Sequence, residues 1–246
     1  MGKKSSVPRA VVSVEHASSR VPKRLQHLGL PPAWLQTHHG WDLAAAVVGR
    51  LLARALGAPL HLGRWSRLVA DVNRSACHPR VVPRTTGGRR VPANHDLDPG
   101  DRRQRIARYW QPYRDAVEAD LDRAVAAHGR VVHISIHSFV ERLASRERRY
   151  ETGLLYNPAR RLERSMADRL ARRLTAAGYR LRRNQPYSGL DDGFCMRMRA
   201  ERRASSYLGM EIEMNQRMVR RDAGCRQFAL ALIATFRAET RYLGAE

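Results

Sequence analysis

Short apolar runs rich in β-branched residues recur along the chain, and each closes on a cluster of polar or charged residues. Such runs are 10–14 (AVVSV), leading into Glu15 and His16; 68–72 (LVADV), leading through Asp71 into Asn73 and Arg74; and 131–136 (VVHISI), leading into His137 and Ser138. A fourth, 207–214 (YLGMEIEM), carries Glu211 and Glu213. Further strands are expected at 60–62, 153–156 and 179–181. Helices are expected at 41–56, 101–128, 158–177 and 225–242, with Pro112 kinking or splitting the second. Strands alternating with helices of this length predict an α/β domain whose largely parallel or mixed sheet is covered on both faces. In open sheets of this kind ligands bind beyond the carboxyl ends of the strands, which is where the polar clusters fall.

The chain has 246 residues, 43% of them hydrophobic, enough for one sizeable core. No repeat and no Gly/Ser-rich linker divides it, so a single domain over 1–246 is expected, with 1–9 as a flexible lead-in. The longest apolar runs, such as 43–49, are too short to span a bilayer. No apolar stretch follows Lys3 and Lys4, so a cytoplasmic location is expected. Cys77, Cys195 and Cys225 are scattered and form no C-x-x-C pair, which speaks against a disulfide framework. Lys plus Arg number 45 against 23 Asp plus Glu, a net charge of +22 that raises the possibility of a nucleic-acid partner. Nearly all of it is arginine, dispersed as singles and pairs with no interleaved aromatics and no zinc-finger spacing, so most of it is expected on solvated faces.

Two imidazoles from different strand ends plus one carboxylate would satisfy a catalytic zinc ion and leave a position for water. A second carboxylate would then be available as general base, and an arginine suits a carboxylate-bearing substrate because its fork makes two parallel bonds. Each residue also has a plainer role. His16 and His137 could be hydrogen-bonded loop histidines, and Asp71 could cap a turn or pair with Arg67. Glu211 and Glu213 share a strand face opposite Met210, Ile212 and Met214 and could face solvent. His133 lies about 13 Å along the strand from His137, too far to share an ion, and is expected in the core or behind the ligands. Cys195 has no evident base to make it a nucleophile, and no G-x-S-x-G, P-loop or G-x-G-x-x-G sequence occurs.

Seven blocks, in order, resemble the motif series of the N-formylglutamate amidohydrolase family. They are SVEHASSRVP at 13–22, HHGWDLAAA at 38–46, SRLVADVNR at 66–74, HISIHSF at 133–139, GLLYNP at 153–158, NQPYSGLDDG at 184–193 and MEIEMNQ at 210–216. The resemblance implies a single three-layer α/β/α domain with a mixed sheet, phosphorylase/hydrolase-like and similar to zinc carboxypeptidases and aspartoacylases. It implies metal-dependent hydrolysis of the amide of a small acidic N-acyl amino acid such as N-formylglutamate. By the same resemblance His16 and His137 hold zinc or another divalent metal, with Asp42 as the first choice of carboxylate ligand and Glu15 as the second. Glu213, in preference to Glu211, is the implied general base, and Arg74 holds the substrate carboxylate, with Asn73 beside it and Arg67 in support. Two departures stand: Ala45 occupies a place where the block often has glycine, and Ser19 stands where the carboxypeptidases carry a metal-binding glutamate three residues after the histidine. The rival readings are a nucleic-acid-binding protein using dispersed arginines and a catalytically silent family member that binds an acidic small molecule.

Overall fold

Alternation along the strands decides how the chain layers. The computed structural model describes residues 9–143 and 146–245, so the lead-in expected at 1–9 lies outside the described residues but for the last. Its main sheet contains β1 (Ala10–Val14), β2 (Leu60–Leu62), β3 (Val131–Phe139), β4 (Thr152–Leu155), β5 (Leu181–Arg183) and β6 (Tyr207–Asn215), in the order β2-β1-β3-β6-β4-β5. The neighbours are parallel except β6 and β4, so the sheet is mixed, as expected.

Helices cover both faces: α1 (Ala45–Leu56), α2 (Gln111–His128), α3 (Arg161–Ala176), α4 (Phe194–Glu201) and α5 (Asp222–Ala245). On one face Val12, Val14, Ile134, Ile136, Met210, Ile212 and Met214 are buried with Leu52 of α1, Leu170 of α3 and Phe228 of α5. Each such side chain contributes about 1.5–3 kcal/mol when fully withdrawn from water. On the other face Val11, Val131 and Tyr207 meet Val117 and Leu121 of α2 and Phe194 and Met198 of α4. These are the three layers of an α/β/α domain. Because side chains alternate along a strand, the residues of that second face nearer the carboxyl ends of the parallel strands are Ser135, His137, Glu211 and Glu213, of which the helices leave His137, Glu211 and Glu213 to a cleft.

Several expectations are corrected. Segment 68–72 is no strand but a string of turns, in which Asp71 N–H donates to the Val81 carbonyl at 2.7 Å and Arg74 N–H to that of Asp71 at 3.0 Å. Leu68, Val69, Ala70 and Val72 are buried beneath loops, and a short apolar run looks the same in a sheet and under a loop. β4 and β5 are displaced by one and two residues from 153–156 and 179–181, and α4 was not anticipated. α1 starts only at Ala45, because Ala44 adopts a left-handed conformation (φ 63°) just after Asp42. The position that suits glycine is therefore Ala44 and not Ala45. Pro112 falls in the first turn of α2, directly after a break in the regular α-helical hydrogen bonding. The helical run from Pro99 continues through a π turn, Ile106–Trp110, in which Gln111 N–H donates to the Ile106 carbonyl. The wider turn accommodates a residue that lacks an N–H and crowds the carbonyl behind it.

Loop 75–100 holds a 3-10 turn (Pro79–Val81), a small hairpin (Thr85–Thr86 with Arg89–Arg90) and a short helix (Pro92–His95). The arginine excess is not wholly a solvated surface, since Arg105, Arg114 and Arg199 are buried. The three cysteines are unpaired, and among the described residues no helix is long and apolar enough to cross a membrane.

Candidate active site

A cleft of about 600 Å³ opens over the carboxyl ends of β1, β3 and β6. His16 follows β1, and the turn carrying Asp42 is tied to it by the Asp42 N–H donating to the His16 carbonyl at 2.9 Å. His137 extends from β3, beside Glu213 of β6 in the parallel register. Asp42 Oδ2 lies 3.3 Å from His16 Nδ1 and 2.9 Å from His137 Nδ1, and accepts from the Ser138 N–H at 3.3 Å. One donor atom each from His16, Asp42 and His137 fall within 4.8 Å of one another, and all three residues are buried.

This set tests well against a metal ion. Two imidazole nitrogens and a carboxylate oxygen converge on one point, the donor chemistry that zinc takes when a position is kept for water. Burial opposes charge on Asp42, but the His16 and Arg67 charges and the His137 hydrogen bond hold its carboxyl well below the usual carboxylate range. Burial likewise opposes a proton on His137, yet Asp42 and Glu15 on two sides of the ring hold it well above the ordinary imidazole range. Glu15 does not join the three donors: its Oε2 is 3.1 Å from His137 Nε2, on the other side of the ring.

Glu213 is buried on the same cleft, and its Oε2 has no hydrogen-bond partner. Burial foremost, with the Asp42 and Glu211 charges adding to it and His137 and Arg67 opposing, pushes its carboxyl up to about 8. Glu211, one pleat deeper, stands 3.7 Å from Arg199, and burial raises its carboxyl too. Neither glutamate faces bulk solvent, contrary to the plainer sequence reading. At Gly153, opposite Glu213, an added Cβ would sit 1.9 Å from the Gln185 carbonyl oxygen, so only glycine lets segment 184–193 cross there and wall the cleft.

Arg67 places Nη1 3.3 Å from Asp42 Oδ1 and Nε 3.7 Å from Asp71 Oδ2. Arg74 lines the cleft and donates to the Asp192 carbonyl, with the Asp192 carboxylate 3.9 Å away. Asn73 also lines the cleft, while its Oδ1 accepts from the Phe194 N–H at 2.8 Å and ties it to the start of α4. His133 is in the core, bridging Ser13 and Tyr207 at 2.8 Å each, and burial depresses it to about 3. Cys195 is buried 3.7 Å from His133, with burial holding its thiol well above the usual range, which suits no nucleophile. Sequence reasoning missed the role of Asp71, whose Oδ1 lies 2.7 Å from His16 Nε2. The sequence signal was its place four residues after Arg67 in a block already rich in site residues.

The family model for N-formylglutamate amidohydrolase matches residues 9–220. Among solved structures, the gene product Atu2144 from Agrobacterium tumefaciens is 29% identical with a TM-score of 0.85, the match covering 97% of this chain and 92% of that one. The N-formylglutamate amidohydrolase from Ralstonia eutropha JMP134 is 22% identical with a TM-score of 0.74, over 97% and 95% of the two chains, and shares the fold. No curated protein sequence matches the chain significantly. With the family match running over most of its length, the chain belongs to the N-formylglutamate amidohydrolase family.

Proposed function

We propose that this protein hydrolyses the amide of a small acidic N-acyl amino acid of the N-formylglutamate type, with His16, Asp42 and His137 holding a divalent metal, zinc by preference. The observation that carries this is the unpartnered, buried Glu213 carboxylate on the same cleft as a three-residue metal-binding set. An ion held by these three residues would polarise the scissile carbonyl and make the attacking water more acidic. Glu213 takes the proton of the attacking water and delivers it to the leaving nitrogen, which a carboxyl with an elevated pKa does well near neutral pH. Arg74, anchored by Asp192, holds the substrate carboxylate, with Asn73 alongside. Arg67 lends positive charge between Asp42 and Asp71. The free state of the three cysteines is in keeping with a cytoplasmic location, which belongs to the same proposal.

The test is a panel of N-formyl, N-acetyl and N-succinyl amino acids offered to zinc-loaded wild type and Glu213→Gln, following release of the free amine. Wild type should turn over an acidic N-acyl substrate and the variant should fall by about 10²–10⁴-fold in kcat. Equal rates would remove Glu213 from the reaction.

A further inference from the structure

Three arginines line the cleft, Arg67, Arg74 and Arg80, and the first two are already matched by carboxylates. Arg67 lies between Asp42 and Asp71, and Arg74 beside Asp192. Arg80 differs from both. Among the described residues its guanidinium makes no hydrogen bond, ion pair or ring contact, although it lines the same cleft. The reaction scheme gives it no part.

The backbone beneath Arg80 is nonetheless fixed. Pro79 opens the 3-10 turn Pro79–Val81 with its ring presetting φ, and the Arg80 N–H donates to His78 Nδ1 at 3.0 Å. Arg102 Nη2 donates to the His78 carbonyl at 2.9 Å, and the Val81 side chain is fully buried. The Val81 carbonyl accepts from the Asp71 N–H at 2.7 Å, while the Arg74 N–H donates to the Asp71 carbonyl at 3.0 Å. The turn that carries Arg80 is thereby bonded to the turn that carries Asn73 and Arg74, and both arginines reach the cleft from this joined pair of turns. A guanidinium offers a planar fork of donors and no acceptor, so the ligand it suits is a planar anion held by two parallel bonds. Because the base of the side chain is already ordered, binding costs only the freedom of the side chain itself. At about 600 Å³ the cleft has room for a small substrate that reaches both arginines.

We propose that Arg80 is a specificity-determining residue, which binds a second carboxylate of the substrate and makes the cleft select dicarboxylic over monocarboxylic N-acyl amino acids. The inference rests on the amide hydrolysis proposed above and on Arg74 as the holder of the first carboxylate. The second carboxylate has two sources, the side chain of an acidic amino acid or the free end of a dicarboxylic acyl group. Both present the same planar anion to a guanidinium. Arg80 is exposed, so solvent screens the contact, and the effect is smaller than that of a buried pair.

The experiment compares two matched substrate pairs, N-formylglutamate with N-formylglutamine and N-succinylalanine with N-butyrylalanine. It measures kcat and KM, by release of the free amine, for wild type, Arg80→Ala, Arg80→Lys, Arg74→Ala and Arg50→Ala, with thermal melts of each. The readout is the ratio of kcat/KM for the dicarboxylic over the monocarboxylic member of a pair. Wild type should favour the dicarboxylic member of at least one pair, and Arg80→Ala should lower that preference about 10-fold, chiefly through KM. Arg80→Lys, which keeps the charge but not the fork, should recover part of it. The pair that responds names the source of the second carboxylate. Arg50→Ala removes an exposed arginine that does not line the cleft and should keep the wild-type ratio. No preference in wild type, or an Arg80→Ala ratio within about twofold of wild type in both pairs, would overturn the proposal. An equal fall in Arg50→Ala would overturn it too, since the preference would then come from the general field of a chain of net charge +22. So would an even loss by Arg80→Ala on every substrate together with a lower melting temperature, the mark of a structural role. Arg74→Ala should lose activity on every substrate, and wild-type rates there would overturn the Arg74 assignment alone. Absence of turnover by metal-loaded wild type would overturn the proposed hydrolysis and this inference with it.

Discussion

His133 and His137 lie four residues apart on one face of β3, and both are buried. They behave in opposite ways. His133 is enclosed by Phe194 and Tyr207, its two nitrogens are met by hydroxyl groups, and burial keeps it neutral. His137 opens onto the cleft between the carboxylates of Asp42 and Glu15, which hold a proton on it against the same burial. Residue type and burial are shared, so the charge of the partners separates a core histidine from a metal-ligand candidate.

The largest expected effect strikes one side of this contrast only. His137→Ala should lower metal-dependent amide hydrolysis by about a thousandfold or more, because it removes a donor and leaves Asp42 and Glu15 facing each other. His133→Ala should instead cost about 2–4 kcal/mol of stability in urea unfolding, through the cavity and the two hydroxyl groups it strands, while zinc affinity stays near that of wild type. Loss of zinc from the His133 variant would erase the distinction.

A third expectation sharpens it with Glu213, the neighbour of His137 in the sheet. Its carboxyl rises from 4.5 to about 8 on folding, so the folded state binds a proton that the unfolded chain has released. The Glu213 contribution to stability is therefore full below about pH 4.5 and is lost as pH climbs through about 8. In metal-free protein, urea unfolding from pH 5 to 9 should show wild type losing more stability than Glu213→Gln, which cannot ionise. Parallel profiles would contradict the burial of Glu213 with an unpartnered carboxylate oxygen.

The smallest effect concerns Ala44, beside the Asp42 arm of the cluster. An L-residue in the left-handed region carries about 1–2 kcal/mol of strain, partly offset by the entropy that glycine loses on folding. Ala44→Gly should raise stability by up to about 1 kcal/mol, read as a higher midpoint in urea. A lower midpoint would show that the backbone there is relaxed.

Much of the layer structure was legible because alternation along β3 and β6 is strict: Ile134, Ile136, Met210 and Ile212 point one way, His137 and Glu213 the other. What could not be read were contacts made across long chain separations by loops. Asp71 sits in an apolar run that passes for a strand, and its pairing with His16 depends on turns that no local periodicity encodes. Asp42 came from the family resemblance alone, since nothing in HHGWDLAAA marks one aspartate as facing two histidines 26 and 95 residues away. Glu211 and Glu213 could be assigned to a face, but whether that face met solvent or a walled cleft was decided by segment 184–193 crossing at Gly153.

The central claim is that His16, Asp42 and His137 hold a catalytic metal and that His133 does not. Elemental analysis of protein purified without an affinity metal tests it most directly, comparing wild type, His133→Ala and the His16→Ala, His137→Ala double variant. The account predicts stoichiometric zinc or another divalent metal in the first two and none in the third. Equal metal content in all three, or none in wild type, would contradict it.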